Sequence, residues 1–217
     1  MKLSIMQPYF LPYIEYFQMV NAVDTFVFYD DVTYIKNGWI NRNRIKDGKI
    51  FTIPLKNQSS NNLIKDTEIF WNQRDIKKLL KTIQQTYSKS LNFFEVYPII
   101  EKLIESHPLT ISELAINSVI EFSKYLEIDT NFKISSQEKY QKGKDKVESL
   151  INICNQENIF HYVNPIGGQS LYDKDTFKLQ GVKLNFIKTQ PSLSIIDECF
   201  LKPKQQIIKE LEEYVFI

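Results

Sequence analysis

The start of the chain constrains its fold more than any other stretch. Leu3–Met6 is a short apolar run of strand length, and the loop 7–12 after it brackets Tyr9 and Phe10 between Pro8 and Pro12. The spacing predicts a helix over about 13–22, and residues 25–29 (TFVFY) have the β-branched and aromatic composition of a second strand. Strand, loop, helix, strand is one βαβ unit, whose crossover is right-handed and usually joins neighbouring parallel strands. The loop 7–12 therefore opens at the carboxyl end of a central strand, where ligands bind in open α/β sheets. It is aromatic and amide-bearing, and it has no glycine.

The rest of the chain fits a Rossmann-like α/β domain with a parallel or mostly parallel sheet and a helical insertion. The Lys46-Asp47-Gly48 turn predicts a hairpin leading into a strand over 49–55, and 63–71 is read as a further strand. Apolar positions at helical spacing then predict three helices, over 74–88, 93–104 and 111–126, with Asn92 and Thr110 or Ser112 as N-caps. They read as an insertion over about 72–128 in a single domain of 217 residues whose α/β core spans about 1–71 and 129–217. Strands are expected at 131–135, 159–163 and 182–187, and helices at 147–155, 171–179 and 204–214. Residues 137–146 read as a polar loop, and the stretch from Pro191 as a turn.

Composition narrows the function classes. A net charge of +1 gives no bulk electrostatic reason to expect nucleic acid. No apolar run approaches the roughly 20 residues of a membrane span. The start shows no signal-peptide pattern, so a cytoplasmic location is expected, with Cys154 and Cys199 as buried thiols. No CxxC, HExxH or GxSxG pattern occurs, and no metal site is expected.

Three strand-end features carry candidate chemistry. Asp30 and Asp31 end the 25–29 strand and are either a proton-transfer pair or turn caps. In the run from Trp39 to Ile45, Arg42 and Arg44 share one face of an extended segment, and Asn41 and Asn43 the other. Paired guanidiniums beside an aromatic suit a phosphate or carboxylate, although a solvated hairpin edge has the same pattern. Asn164 and the diglycine Gly167-Gly168 follow the 159–163 strand, and glycine permits close backbone approach. His161 within a strand and His107 in an interhelical turn read as structural.

These same residues carry a family likeness. The opening MQPYFLPYIEYF, the segment DDVTYIKNGWINRNRIK and the later YVNPIGGQSLY, GVKLNFIK and LSIID resemble the WbqC-like family of bacterial proteins. Its members are typically encoded among genes for O-antigen and other surface polysaccharides. The resemblance implies an enzyme of that biosynthesis, an N-acyl or aminoacyl transferase acting on a nucleotide-linked amino sugar. Two positions depart from the family pattern: relatives often have His at Met6 and Gly at Glu15.

On that reading, Arg42 and Arg44 hold the diphosphate, while Tyr9, Tyr13 or Trp39 stack on the base or sugar. Asp30 or Asp31 takes the proton from the attacking amine, and Gln7, Asn41 or Asn43 donates to the oxyanion. Lys36, Asn164, Gly167 and Gly168 complete the expected substrate contacts. No resident cofactor is expected. The acyl donor is a coenzyme A thioester, a carrier-protein thioester or an activated amino acid. Nucleotidyl or adenylyl transfer, and a non-catalytic binding module whose helical insertion docks a partner, are the competing readings. The transferase reading requires Gln7, the Asp30-Asp31 corner, both arginines and the diglycine to converge on one hollow.

Overall fold

A computed structural model describes residues 1–188 and 193–217. The opening βαβ unit forms as expected: β1 (Leu3–Met6), α1 (Ile14–Asn21) and β2 (Thr25–Phe28), with β1 and β2 parallel in register Leu3 to Thr25. A small antiparallel hairpin follows, β3 (Arg42–Arg44) with β4 (Ile50–Thr52). Its turn places Asp47 and Gly48 at φ 62° and 69°, the left-handed region that the Asp-Gly pair announces. Helices α2 (Gln73–Tyr87), α3 (Phe93–Glu105) and α4 (Ile111–Tyr125) come next. The alternation resumes with β5 (Asn131–Ile134), α5 (Ser135–Glu138), α6 (Lys146–Gln156), β6 (His161–Pro165), α7 (Lys174–Leu179) and β7 (Lys183–Lys188). The chain closes with α8 (Ile195–Leu201), α9 (Lys204–Glu210) and β8 (Val215–Phe216).

Among the described residues the main sheet runs β5-β2-β1-β6-β7-β8, parallel except for β8. Counted in chain order, its parallel strands read 3-2-1-4-5, the Rossmann-like order. Alternation along the strands sends side chains to two cores. Leu3, Ile5, Val27 and Phe186 pack with Cys154 of α6 and Phe177 of α7. Phe26, Phe28, Val163 and Ile187 pack on the other face with Phe17 of α1, Phe122 of α4 and Phe200 of α8. The three helices after the hairpin thus share a core with the sheet.

Four local expectations are corrected. The strand expected at 63–71 is reduced to isolated antiparallel bridges at Leu63, Glu68 and Ile69 around a 3-10 turn, Ile64–Asp66, closed by the Thr67 hydroxyl on the Leu63 carbonyl at 2.8 Å. The polar loop expected from 137 begins inside α5, whose start is capped by Asp30 from the end of the neighbouring strand β2. Helix α8 was not anticipated, and the turn expected from Pro191 lies partly outside the described residues. The last helix ends at Glu210, because Val215–Phe216 pairs with β7 and covers its edge.

Candidate functional site

Strand β1 lies where the crossovers diverge, to β2 on one side and β6 on the other. Strands β1 and β6 pair at Leu3 and Tyr162, and the Ser4 hydroxyl then satisfies the Val163 carbonyl at 2.8 Å. A cavity of about 710 Å³ opens outside their carboxyl ends. Both its place, the topological switch point, and its size, within the roughly 300–1,000 Å³ of small-molecule sites, are those of a ligand site. Tyr9 and Tyr13 enter its wall from the first loop, and Glu15, Tyr16 and Met19 from α1. Trp39, Asn43 and Arg44 enter from the hairpin side, and Asn164, Gly167, Gly168 and Tyr172 from the segment after β6.

The first loop is held from three directions at one strained residue. Leu11 has φ 47°, costly for a side chain of its size. Its N–H donates to the Ser118 hydroxyl of α4 at 3.1 Å, and its carbonyl accepts from Asn43 and from the Ser194 hydroxyl, both at 2.7 Å. The insertion, the hairpin and the segment before α8 together set the loop's shape. Tyr16 adds a hydrogen bond to the Gln7 carbonyl at 3.0 Å, and the Phe10 N–H reaches the Ile40 carbonyl at 2.9 Å.

The two arginines have different environments. The Arg42 guanidinium donates to the Gly38 carbonyl at 2.9 Å and to the Asn37 carbonyl, and lies 5.3 Å from the Trp39 ring. It is committed to its own turn and is not in the cavity wall. Arg44 lines the cavity, and its guanidinium makes no hydrogen bond or ion pair among the described residues. Asn41 is also committed, accepting from the Tyr34 hydroxyl at 2.8 Å and donating to the Ile53 carbonyl at 2.7 Å. Lys36 is exposed on the turn, outside the wall.

The expected convergence is therefore incomplete. Asp30 is buried, and its carboxylate accepts from the Ser136 N–H at 3.0 Å and from the Ser136 and Ser112 hydroxyls at 2.7 and 3.3 Å. Asp31 accepts from the Ser135 hydroxyl at 2.7 Å and pairs with Lys142 at 2.5 Å. Both carboxylates fasten α5 and the following loop to the end of β2, and neither lines the cavity. The side chain of Gln7 is likewise outside the wall. Tyr9, Tyr13, Trp39, Asn43, Arg44, Asn164, Gly167 and Gly168 are brought together.

Within the diglycine, the two positions differ. A Cβ on Gly168 would meet the Asn164 amide nitrogen at 2.0 Å, whereas one on Gly167 would meet nothing within 4 Å. Asn164 is itself fixed, accepting from the Tyr162 hydroxyl at 2.8 Å.

Titratable groups in the wall are mostly phenols. Burial raises the pKa of Tyr9, Tyr13 and Tyr16, with the other phenols adding to it at Tyr13 and Tyr16 and the Glu15 charge adding further at Tyr13. All three remain protonated donors at neutral pH. Burial also pushes the Cys154 thiol up to about 12, which fits the buried, inert thiol expected of it. No group of three or more His, Cys, Asp or Glu side chains suited to a metal occurs among the described residues.

The family model described as "WbqC-like protein family" matches residues 7–208. This chain belongs to the WbqC-like family. The match takes in the first loop, the hairpin and the segment after β6, which are the parts that build the cavity. An uncharacterized protein of Mycobacterium tuberculosis, Rv1507c, is 25% identical over 217 residues, covering 92% of this chain and 93% of that protein. No solved structure matches the chain. No helix among the described residues of this WbqC-like protein is long and apolar enough to cross a membrane.

Three polar wall residues, Glu15, Tyr16 and Tyr172, are not among the ligand contacts expected from the sequence. Tyr16 and Tyr172 stand beside the quoted motif aromatics, so their composition was a usable signal. Glu15 drew notice only as a departure from the family pattern, because a first-turn glutamate ordinarily faces solvent.

Proposed function

We propose that this WbqC-like protein is a transferase that binds a nucleotide-linked amino sugar in the switch-point cavity, a reading that rests on Arg44 and the aromatic wall alone, because Gln7, Asp30, Asp31 and Arg42, whose convergence the sequence expectation required, lie outside the cavity. It adds an acyl or aminoacyl group to the sugar amine in surface-polysaccharide (O-antigen) biosynthesis. The observation that carries this reading is Arg44, a guanidinium uncommitted among the described residues on the wall of an otherwise mainly aromatic and apolar cavity. A diphosphate takes the guanidinium fork, and a base or sugar ring takes the faces of Trp39, Tyr9 or Tyr13. The Gly167-Gly168 backbone allows the ligand a close approach. The family likeness supports the pathway, and the cavity wall supports the substrate class.

The acyl group arrives as a thioester of coenzyme A or of a carrier protein, or as an activated amino acid. With a thioester, the amine nitrogen bonds to the carbonyl carbon as the carbon–sulfur bond breaks. The thiol leaves, and the nitrogen gives up one proton. Walls that exclude water protect the thioester from hydrolysis during the encounter.

The test is a thermal-shift screen with UDP-, GDP- and dTDP-linked sugars, coenzyme A and acetyl-coenzyme A, on the wild type and Arg44→Ala. Ligands that bind only the native form raise the Tm. One nucleotide-sugar class is expected to stabilise the wild type and to lose that effect in the variant. Absence of any nucleotide-sugar shift at millimolar concentration would overturn the reading.

A further inference from the structure

Among the described residues lining the cavity, Glu15 is the only acid and Arg44 the only base. They come from different elements, Glu15 from the first turn of α1 and Arg44 from the end of β3. A glutamate in a first turn complements the helix dipole equally well from solvent. Glu15 is instead only 8% exposed and sits in the cavity wall beside Tyr16, the ring of which lies 5.8 Å from that of Tyr9. The Tyr13 phenol feels the Glu15 charge, after burial and Tyr9 in size of effect. A carboxylate among phenol rings is the chemistry of ammonium recognition, in which the acid supplies the charge and the ring faces the quadrupole.

The same residue changes where an anion can go. Dinucleotide-binding folds seat phosphate on the amino-terminal end of the first helix. Here a buried carboxylate occupies that turn and repels phosphate, leaving cationic Arg44 as the anion-binding end of the site.

We propose that Glu15, with Tyr9, Tyr13 and Tyr16, forms an ammonium subsite that holds the free amino group of a ligand whose phosphate lies against Arg44. The site is thus polarised, and its substrate class is an amine that also carries phosphate. This rests on the proposed ligand class for the amine, but it does not require a nucleotide. Glu15 fixes the ammonium while Arg44 fixes the anion, so the ligand enters in one orientation; the ammonium loses one proton to solvent before it attacks and a second to the leaving group as the amide forms, which removes the charge and releases the product.

Calorimetry with two matched pairs of probes tests this on the wild type, Glu15→Gln and Glu15→Ala. One pair is UDP-glucosamine and UDP-N-acetylglucosamine; the other is glucosamine 6-phosphate and N-acetylglucosamine 6-phosphate. The wild type is expected to bind the free amine at least ten-fold more tightly than its acetylated partner in at least one pair. The near-isosteric Glu15→Gln should bring that ratio close to one with little change for the acetylated probe, and Glu15→Ala should do the same. If the sugar-phosphate pair alone binds and shows the preference, the ammonium subsite stands and the nucleotide-sugar reading fails. If the UDP-linked sugars bind and neither pair shows a preference for the amine, or the preference survives in Glu15→Gln, the subsite is overturned and the nucleotide-sugar reading stands. Binding of neither pair at millimolar concentration overturns both. Unchanged Tm values for the free variants confirm that the ratios report the site and not the fold.

Discussion

Asn43 donates its side-chain amide to the carbonyl of Leu11 at 2.7 Å, joining the hairpin to the one loop residue in left-handed backbone conformation. Its own carbonyl oxygen accepts from the Arg44 N–H at 2.7 Å, so one buried amide positions both the loop and the arginine. Asn43→Ala leaves buried polar groups short of a partner and should cost about 1–3 kcal/mol. Urea denaturation measures this, and unchanged stability would mean that Ser118 and Ser194 hold the loop by themselves.

Arg42 and Arg44 should separate stability from binding. Arg44→Ala removes the uncommitted guanidinium, so nucleotide-sugar affinity should drop by about 1.5–3 kcal/mol, the range of a charged hydrogen bond, with Tm nearly unchanged. Arg42→Ala loses its contacts to Gly38, Asn37 and the Trp39 ring and should lower stability by about 1 kcal/mol. Equal effects of both substitutions on binding would contradict the assignment.

Adjacent glycines should respond differently to the same methyl group. Gly168→Ala drives a Cβ into the Asn164 amide and should cost about 1–3 kcal/mol through overpacking, reshaping the cavity wall. Gly167→Ala meets open space and should be tolerated. Thermal denaturation of the two variants side by side decides the point.

Asp197 gives stability a pH dependence. It is 3% exposed, accepts from the Lys46 N–H at 2.9 Å, and burial raises its pKa from 3.8 to about 6 despite help from the Tyr87 hydroxyl. Between those values the folded state keeps a proton that the unfolded state has released, so this group's contribution falls as pH rises from about 4 to about 6 and is flat above. Asp197→Asn keeps an acceptor for Lys46 and removes the slope. Relative to wild type, the variant should gain about 2 kcal/mol between pH 4 and pH 8, read by urea denaturation at each pH. A pH-independent difference would place the carboxyl in a more polar environment than its burial indicates.

Both thiols should be silent in the native protein. Cys154 and Cys199 are buried, and burial raises both pKa values. A disulfide-exchange reagent at pH 8 is expected to find no fast-reacting thiol in buffer and two in guanidinium chloride. A fast native thiol would show that one helix opens locally.

The opening βαβ unit was legible because a strand-length apolar run, a proline-bounded loop and a helical face are local patterns. The hairpin was legible because Asp47 and Gly48 tolerate positive φ. The alternation over 41–44 also held, with Asn41 and Asn43 buried. The same periodicity could not separate Arg42 from Arg44, since that depends on the carbonyls of a turn four and five residues upstream. The choice between proton transfer and turn caps for Asp30 and Asp31 stays open in the sequence for a related reason. Their hydrogen-bond partners are Ser112, Ser135 and Ser136, which come within reach only when α4 and β5 pack beside β2.

What the sequence determined on its own was the Rossmann-like layering and the strand end at which a ligand site would open, because periodicity and crossover handedness act over short stretches. The tertiary structure decided which polar side chains stay available there. Packing commits Arg42, Asn41, Asp30 and Asp31 to nearby donors and acceptors, and it brings Glu15, Arg44 and the tyrosines to one cavity. A buried polar group must be matched, and its match is set by neighbours far away in the chain.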